Sequence, residues 1–497
     1  MAKILLVSSS FESISLISAS EKNRMGVKIP SNSHYPLGIA FLHSSLESKD
    51  HLVKSLFLNS YSYDDCFNSV TETIKSFDPD IVGFQILTSN RVSTYYLIEH
   101  IHKNNPEIKI AIGGIHSTIM YRQLLKKFPY IIAILGEGEI TFAELAEKWF
   151  QANADLNEID GIAFYKGDTL VTTKMRKLIE NLDDLPFPNH DIFFEDGKRT
   201  SACLLTTRGC PFSCSFCCLD VISRKKVRKR SIANIIAEIE MLLSKFPKIK
   251  DIWIHDDTFF IDNERVIELC DEVIKRKLKV AFTCSGRMKP LSEKMIKKLE
   301  QANFKKVLLG LESGDEGILK TSHKMITQTD VVNAFTLFSK SKISILAFLI
   351  VGLPGENMKT ILKTARLIKR VQKIKYVYYN DVSVLAVYPG TEIYEIAKKK
   401  GMIDDNYWLT NKPNPIFTVE HSEEKLLYFK GVLLKHISLD RFFTPAGFIA
   451  QFFMIPYIIK YLMANKNIVK VLGSRKLKEI LPAKIFNLIK KISSFFI

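Results

Sequence analysis

Long apolar runs are missing from this sequence of 497 residues. The stretch that comes closest to one, residues 446–459, contains Gln451 and Pro456 and ends at Lys460. A membrane-spanning helix needs about 18 or more consecutive apolar residues, so this stretch is too short to cross a bilayer. The apolar stretch within the N-terminal MAKILLVSSSF is likewise too short for a secretory signal peptide. We therefore expect a cytoplasmic protein.

Cysteine is scarce as well, and internal repeats are absent. Eight cysteines in so long a chain do not form a disulfide scaffold. Four of the eight lie within nine residues, namely Cys210, Cys214, Cys217 and Cys218. In a reducing compartment, where disulfides are rare, such a cluster indicates metal binding or redox chemistry.

Acidic residues are few relative to basic ones. The chain has 70 Lys and Arg residues against 53 Asp and Glu residues, and its formal net charge is +17. The imbalance is greatest in residues 441–497, where ten Lys and Arg residues accompany one acid, Glu479. A basic balance is typical of proteins that bind nucleic acid, an anionic membrane surface or an acidic substrate.

Short apolar runs and helical patterns alternate over the first 150 residues. The apolar runs predict strands at 3–9, 51–58, 80–87, 108–114 and 130–136. Helices are predicted between them at 37–48, 65–77 and 91–103, and a hairpin is predicted at 161–173. This alternation favours an α/β fold with a Rossmann-like, doubly wound domain, which binds ligands beyond the carboxyl ends of its strands.

A second alternating series begins at residue 200. Its strand candidates are 201–207, 250–256, 279–285, 304–311, 343–352 and 377–387. The helices predicted between them are 232–245, 263–275, 292–301, 328–339 and 359–373. Six βα units predict a (β/α)6-type partial TIM barrel. We therefore expect an N-terminal domain at 1–181, a linker at 182–199, a barrel at 200–410 and a helical, basic, apolar C-terminal extension at 411–497.

The segment CPFSCSFC places three thiols directly after the first predicted barrel strand. Cys210, Cys214 and Cys217 can each bind a different iron of one cubane cluster, which leaves the fourth iron open for chemistry. A closed structural zinc site is the alternative, with Cys218 as its fourth ligand. Because Cys218 adjoins Cys217, its side chain is expected to point elsewhere, and the cluster is the favoured interpretation.

This C-x3-C-x-aromatic-C motif, with Phe216 as its aromatic residue, resembles that of radical S-adenosylmethionine (radical SAM) enzymes. Further segments match the family's pattern at predicted strand ends, namely HDD at 255–257, GLESG at 310–314 and VGLPGE at 351–356. The resemblance implies a [4Fe–4S] cluster on Cys210, Cys214 and Cys217, with S-adenosylmethionine (SAM) beside it. The implied SAM-binding residues are Phe216, Asp256, Arg287, Glu312, Ser313, Gly314, Gly352 and Pro354.

In that family an electron from the reduced cluster cleaves a C–S bond of SAM, and the 5′-deoxyadenosyl radical removes a hydrogen atom from the substrate. The resemblance implies that Glu312 and Ser313 line the ribose and amino-acid portion of SAM and that the backbone near Gly352 meets the adenine. Arg287 is expected to pair with the SAM carboxylate, which a guanidinium binds well. An electron donor such as a ferredoxin or flavodoxin is implied too.

The N-terminal half resembles the cobalamin-binding Rossmann-like domain found ahead of many radical SAM enzymes. The matching segments are YPLGIAFL at 35–42, GGIHST at 113–118, GEGE at 136–139 and LDDLPFP at 182–188. The implied cobalamin-binding residues are Gly38, Gly113, Gly114, His116, Gly136, Glu137, Gly138 and Glu139. The axial-histidine motif of methionine-synthase-type domains is replaced here by SSSFESIS, so we expect cobalamin with no protein histidine on cobalt. A domain that has lost the corrin is the alternative.

Three functions fit these patterns. The favoured one is a cobalamin-dependent radical SAM enzyme that methylates, cyclises or rearranges an unactivated carbon of a small molecule. A tRNA- or protein-modifying methylthiotransferase is disfavoured, because those enzymes hold a second cluster in their N-terminal domain and only Cys66 precedes residue 200. A non-catalytic cobalamin- or metal-binding protein is disfavoured by the complete motif set. The basic run at 224–230 has no interleaved aromatic residues for base stacking, so nucleic acid is not the expected partner.

The C-terminal segment 441–497 combines many cations with amphipathic patterning. From Leu477 to Ile492 apolar residues recur at spacings of three and four, with lysines towards the other face. A helix packed on the barrel is the alternative, but the excess of cations favours a helix lying in an anionic membrane surface. We therefore expect peripheral contact with the inner face of the membrane and a lipophilic substrate.

Overall fold

The computed structural model describes residues 1–11, 35–151, 154–195 and 197–439 of the chain. The basic segment 441–497 and its predicted amphipathic helix lie outside the described residues. No helix within the described ranges combines the length and the apolar character that crossing a bilayer requires.

The first part of the chain forms a seven-stranded sheet in the order β2-β1-β3-β4-β5-β6-β7. Its strands are β1 Lys3–Ser8, β2 Leu52–Phe57, β3 Ile81–Gln85, β4 Lys109–Gly113, β5 Ile132–Ile134, β6 Ile162–Lys166 and β7 Thr169–Thr172. Strands β1 to β5 pair in parallel, and the predicted hairpin adds β6 and β7 antiparallel at the edge. The strand order reverses between β1 and β3, so the carboxyl edge of this sheet has a topological switch point.

Among the described residues, five α-helices pack on the two faces of this sheet. They are α1 Leu37–Glu47, α2 Tyr63–Phe77, α3 Arg91–Asn104, α4 Ile115–Lys127 and α5 Glu139–Lys148. Helix α2 begins two residues earlier than its apolar pattern predicts, because the Ser62 side chain accepts a hydrogen bond from the Asp65 amide and caps the helix.

The second part forms a six-stranded parallel sheet in the order β8-β11-β12-β13-β14-β15. Its strands are β8 Ser201–Leu204, β11 Asp251–Ile254, β12 Ala281–Gly286, β13 Phe304–Glu312, β14 Ser344–Val351 and β15 Val377–Val384. Spatial order follows chain order, as in a (β/α)6-type partial barrel, so the predicted α/β fold class is confirmed. Two short strands, β9 Thr207–Arg208 and β10 Arg228–Lys229, pair antiparallel outside this sheet.

The helices of this second part follow or precede its strands. They are α6 Asp191–Phe194, α7 Leu219–Ser223, α8 Ile232–Lys245, α9 Asn263–Lys275, α10 Glu293–Gln301, α11 Glu316–Thr321, α12 Gln328–Ser339, α13 Met358–Ile374, α14 Glu392–Lys399 and α15 Glu423–Leu439. Two segments after β15 pack in different directions. Tyr394 and Trp408 join the core of the N-terminal sheet, whereas Leu426 and Phe429 of α15 join the barrel core. The domain bounds predicted from the sequence stay a prediction.

Candidate functional site

We call residues 209–218, which contain the cysteine motif, the cysteine loop. The segment that enters this loop is held by Asp256 and Asp257, the two aspartates that follow β11. The Asp256 carboxylate accepts hydrogen bonds from the amides of Thr206 (2.6 Å) and Thr207 (3.0 Å), and from the Thr206 hydroxyl. These bonds turn the chain after Leu204, so the predicted strand 201–207 is divided into β8 and β9. Asp256 was predicted to bind SAM, but here both of its oxygens hold the loop that leads to the cysteines.

A glycine begins the cysteine loop for a steric reason. Gly209 has a φ of +98°, and a Cβ atom there would lie 2.0 Å from the carbonyl oxygen of Lys226. Its amide donates a 2.8 Å hydrogen bond to Asp257 Oδ2. Gly209, the residue before Cys210, is therefore fixed from two sides: by Lys226 of the basic run 224–230 and by Asp257 after β11.

The three cysteines of the motif follow within one loop. The loop turns where the Cys217 amide donates to the Cys214 carbonyl oxygen (2.9 Å), and Cys218 then forms the N-cap of α7. Across the described part of the chain, no three His, Cys, Asp or Glu side chains converge as they would around one metal ion. A cubane requires no such convergence, because each thiolate binds a different iron. Three thiols on one loop, with Cys218 at the N-cap of α7, fit a cluster that has three protein ligands.

Arg287, which follows β12, lies directly beside this loop. Its Nη1 is 3.6 Å from Cys214 Sγ, and its guanidinium carbon is 3.8 Å from the centroid of the Phe212 ring. The side chain is buried, and its Nε and Nη2 atoms have no hydrogen-bond partner in the described structure. Buried guanidinium groups normally have partners, so these two atoms fit the carboxylate of SAM.

Glu312, at the end of β13, also points towards the cysteine loop. It has a φ of +62°, which is unusual for a residue other than glycine. Its Oε1 pairs with Lys324 Nζ at 2.7 Å, and Lys324 Nζ lies 6.0 Å from the centroid of the Phe216 ring. Glu312 and Phe216, both predicted to bind SAM, are thus brought together through a lysine that the sequence analysis did not identify.

Ser313 and Gly314 are placed differently from Glu312. The Gly314 amide donates to Thr364 Oγ1 of α13 (2.8 Å), and Ser313 Oγ lies 3.3 Å from the same hydroxyl oxygen. A Cβ atom at Gly314 would lie 2.5 Å from the Thr364 Cα. Both residues therefore hold the end of β13 against α13, and the structure gives them a packing role.

The turn after β14 contains Gly352 and Pro354, which were predicted near the adenine. Gly352 has a φ of +96°, and its amide donates a 2.6 Å hydrogen bond to Glu356 Oε2. Burial raises the pKa of Glu356 to about 8. Glu356 is the last residue of the VGLPGE motif, and its carboxyl holds the turn by accepting this hydrogen bond.

A cavity of about 470 Å³ lies at the carboxyl edge of the N-terminal sheet. Its volume is within the range of about 300–1,000 Å³ that is typical of cofactor and ligand sites. The predicted cobalamin-binding residues in its wall are Gly38, Gly113, Gly114, Gly136, Glu137, Gly138 and Glu139. Other wall residues come from the second part of the chain, namely Leu205, Arg208, Gly209, Leu219, Ile222, Ser223, Arg228 and Asp257. The cavity therefore joins the glycine loops to the cysteine loop.

Two glycines of this wall have backbone conformations that other residues rarely adopt. Gly114 has a φ of +94°, and a Cβ atom there would lie 2.8 Å from the Ile86 carbonyl oxygen. Gly136 has a φ of +85°, which also favours glycine. A cradle of backbone and apolar side chains is what a large cofactor with a nucleotide tail requires, so these residues fit cobalamin.

His116 does not line this cavity. It is fully buried, with Nδ1 3.1 Å from Thr88 Oγ1 and Nε2 3.1 Å from the Tyr95 hydroxyl. Burial, together with the charge of Arg91, lowers the pKa of His116 to about 3, so the ring is neutral. Both ring nitrogens have protein partners, which disfavours a contact with the corrin, and the predicted role of His116 in cobalamin binding stays a prediction.

Glu137 and Glu139 are engaged by arginines of the second part of the chain. Arg208 contacts both carboxylates, Glu137 at 2.9 Å and Glu139 at 2.7 Å, and Arg228 contacts Glu137 at 2.7 Å. Burial by itself raises the pKa of Glu137, but the hydrogen bond from Arg228 and the charge of Arg208 outweigh it and keep the pKa below its usual value. Pairing over such sequence distances has no signal in a single sequence.

Family models match the two parts of the chain separately. Residues 204–368 match the radical SAM superfamily, and residues 27–146 match the B12 binding domain. The chain is a radical SAM enzyme with a B12-binding domain. A [4Fe–4S] cluster, SAM and cobalamin are the cofactors that these two domains imply, as the sequence predicted.

Two curated relatives align over much of the chain. An uncharacterized methyltransferase of Pyrococcus horikoshii is 28% identical over 84% of this chain and 92% of its own length. An anaerobic magnesium-protoporphyrin IX monomethyl ester cyclase of Rubrivivax gelatinosus is 31% identical over 67% of this chain and 61% of its own length. Relatives of this kind include both methyltransferases and cyclases.

Solved structures show the same fold. OxsB, a cobalamin-dependent SAM radical enzyme solved with aqua-cobalamin and SAM, superposes with a TM-score of 0.66 at 17% identity, over 81% of this chain and 62% of its own. The radical SAM methyltransferase TsrM of Kitasatospora setae was solved with cobalamin and a [4Fe–4S] cluster. It superposes with a TM-score of 0.64 at 18% identity, over 81% of this chain and 79% of its own. Both likenesses support the two-part architecture described above.

Proposed function

We propose that this enzyme uses cobalamin and SAM together to methylate an unactivated carbon of a small molecule. The observation that carries the proposal is the cavity. Its wall combines the glycine-containing loops at 113–114 and 136–139 with Arg208 of β9 and Gly209, the first residue of the cysteine loop. When bound, the cluster and SAM supply a radical that removes hydrogen from carbon, and cobalamin supplies a methyl carrier. Placed at one cavity, these groups can act on one substrate.

The chain's own residues bind and orient these groups. Cys210, Cys214 and Cys217 hold the cluster, and the free guanidinium nitrogens of Arg287 bind the SAM carboxylate. Lys324 keeps Glu312 in place beside Phe216.

Product analysis separates methylation from cyclisation. The anaerobically reconstituted holoenzyme is incubated with SAM, dithionite and cobalamin. A methyltransferase that reloads cobalamin from SAM releases S-adenosylhomocysteine as well as 5′-deoxyadenosine, because the methyl group leaves SAM in the first reaction and the adenosyl group in the second. Only 5′-deoxyadenosine, with no S-adenosylhomocysteine in the presence of cobalamin, would favour a cyclase or a rearrangement.

A methylthiotransferase is not supported by the described structure. Its second cluster would need several cysteines in the N-terminal domain, but only Cys66 precedes residue 200, and its side chain on α2 is buried in the core. Burial also raises the pKa of this thiol to about 11, so it stays protonated at neutral pH.

For the electron donor we propose a ferredoxin or flavodoxin. Arg224, Lys225 and Lys226 are exposed, and the carbonyl of Lys226 packs against Gly209, the neighbour of Cys210. Such a basic surface suits an acidic partner and makes its association sensitive to salt. Reduction by flavodoxin should slow at high salt and in Lys225→Glu, whereas reduction by dithionite should not.

A lipophilic substrate and attachment to the inner face of the membrane also remain part of the proposal. They are supported by the sequence of residues 441–497, which follow α15 and combine ten cations with apolar stripes. A cytoplasmic enzyme held in this way would meet a lipid precursor at the bilayer surface.

A further inference from the structure

Four charged side chains are buried between the glycine loop 136–139 and the start of the cysteine loop. Glu137, Glu139, Arg208 and Arg228 have exposed side-chain fractions between 5% and 14%. Arg208 bridges the two glutamates, and Arg228 bonds the second oxygen of Glu137. We call this set the Glu–Arg clamp.

The clamp is anchored on both sides. The Ile179 amide donates to Glu137 Oε2 (3.0 Å), and Arg228 Nη1 donates to the Ile179 carbonyl oxygen (2.8 Å). The guanidinium carbon of Arg208 lies 4.9 Å from the centroid of the Phe41 ring in α1. One cluster of charges thus joins α1, the glycine loop, the segment before the barrel and the strand pair β9–β10.

Stability alone is a weak reason for such a cluster. Removing charged groups from water is costly, and well-packed apolar side chains of similar volume often stabilise a protein as much or more. What a bridging arginine adds is a fixed geometry, because its planar guanidinium donates hydrogen bonds to carboxylates in few orientations.

The position of the clamp indicates what that geometry controls. Arg208 lies two residues before Cys210 and pairs in strand register with Arg228. Glu137 and Glu139 lie in the cavity wall, next to Gly136 and Gly138. A shift of either glutamate therefore moves the start of the cysteine loop relative to the cobalamin cavity.

We propose that Glu137 and Glu139 are positioning residues, which set the cysteine loop and its cluster at a fixed separation from cobalamin. The inference rests on the proposed function, in which both cofactors serve one reaction. The resemblance implied that Glu137 and Glu139 contact cobalamin. The inference instead gives them a role through their contacts with Arg208 and Arg228. Because coupling between two sites is reciprocal, cobalamin affinity should depend on the clamp.

The test compares Glu139→Gln with Glu144→Gln in reconstituted holoenzyme. Glu144 is a matched control, since it lies on the same helix α5 and pairs with Arg176 away from the cavity. One readout is the Kd of cobalamin, and the other is the broadening of the Co(II) electron paramagnetic resonance signal by the reduced cluster, which depends on their separation. The Glu139→Gln variant should bind cobalamin about tenfold more weakly, within the roughly 5- to 150-fold range typical of coupled sites.

Further variants separate positioning from folding. Arg208→Lys keeps a charge but cannot bridge both glutamates, so it should change the broadening while keeping the cluster. In a double-mutant cycle, Arg208→Gln should weaken cobalamin binding less in the Glu139→Gln background than in the wild type, because only its pair with Glu137 is then lost. If Glu139→Gln matches Glu144→Gln in both Kd and broadening, the clamp does not position the cofactors. If the wild type binds no cobalamin, the proposed function fails first and the inference with it.

Discussion

The Nη1 atom of Arg287 lies 3.6 Å from the Sγ atom of Cys214. Arg287 directly follows β12 and contacts the middle cysteine of the motif. Its Nε and Nη2 atoms have no hydrogen-bond partner in the described structure. We propose that Arg287 thereby links the cluster to the SAM carboxylate.

Replacing Arg287 should weaken SAM binding more than it affects the cluster. Hydrogen bonds to charged groups contribute about 1.5–3 kcal/mol, so Arg287→Gln should raise the Kd of SAM about 10- to 100-fold. Iron content and the ultraviolet–visible spectrum should stay those of the wild type. The control is Arg276→Gln, which changes an exposed arginine of the same part of the chain. Equal SAM affinity in the two variants would refute the carboxylate role.

Cobalamin should bind without a protein histidine on cobalt. Both nitrogens of His116 are occupied by Thr88 and Tyr95, and its low pKa follows from burial. The Co(II) electron paramagnetic resonance spectrum of the holoenzyme should therefore lack nitrogen splitting from a protein imidazole, and His116→Phe should leave that spectrum unchanged. Imidazole splitting that disappears in His116→Phe would show the opposite.

Glu356 should make stability depend on pH. Burial raises its pKa to about 8 in the folded state, above the value of about 4.3 in unfolded chains. Between these values the folded protein binds the extra proton, so stability is highest below the unfolded pKa and falls as pH rises through about 8. Glu356→Gln should flatten the fall of Tm between pH 5 and pH 8. The control is Glu420→Gln, because Glu420 accepts a hydrogen bond from the Gly355 amide of the same turn. This variant should show the same fall of Tm as the wild type.

The C-terminal segment should bring the enzyme to anionic membranes. Full-length protein and a variant that ends at Asp440 are compared by co-sedimentation with liposomes that contain phosphatidylserine. Each basic residue near such a surface adds about 1 kcal/mol, so the full chain should bind at low salt and the shortened one should not. Equal partitioning of both proteins would remove the support for a lipophilic substrate.

Periodicity predicted the framework of this protein well. Buried strands such as β1 and β14 are short, apolar and separated by amphipathic helices, so their existence and order can be inferred without contacts. Local chemistry explains the differences, since Ser62 extends α2 and Asp256 ends β8.

Partners across the chain could not be predicted in the same way. The resemblance of GEGE at 136–139 to cobalamin-binding domains implied a cobalamin contact for Glu137, yet its carboxylate meets Arg228, 91 residues later. His116 occurs in a motif and still turns into the core, because Tyr95 and Thr88 offer it partners there. Charge and polarity in a sequence do not reveal which neighbour will satisfy them.

We propose that Cys210, Cys214 and Cys217 hold the cluster that cleaves SAM. The most direct measurement is 5′-deoxyadenosine formation with dithionite by anaerobically reconstituted single variants. Cys210→Ala, Cys214→Ala and Cys217→Ala should each lose this activity and the cluster spectrum, whereas Cys218→Ala should keep the cluster. Full cleavage activity in any of the first three variants would contradict the account.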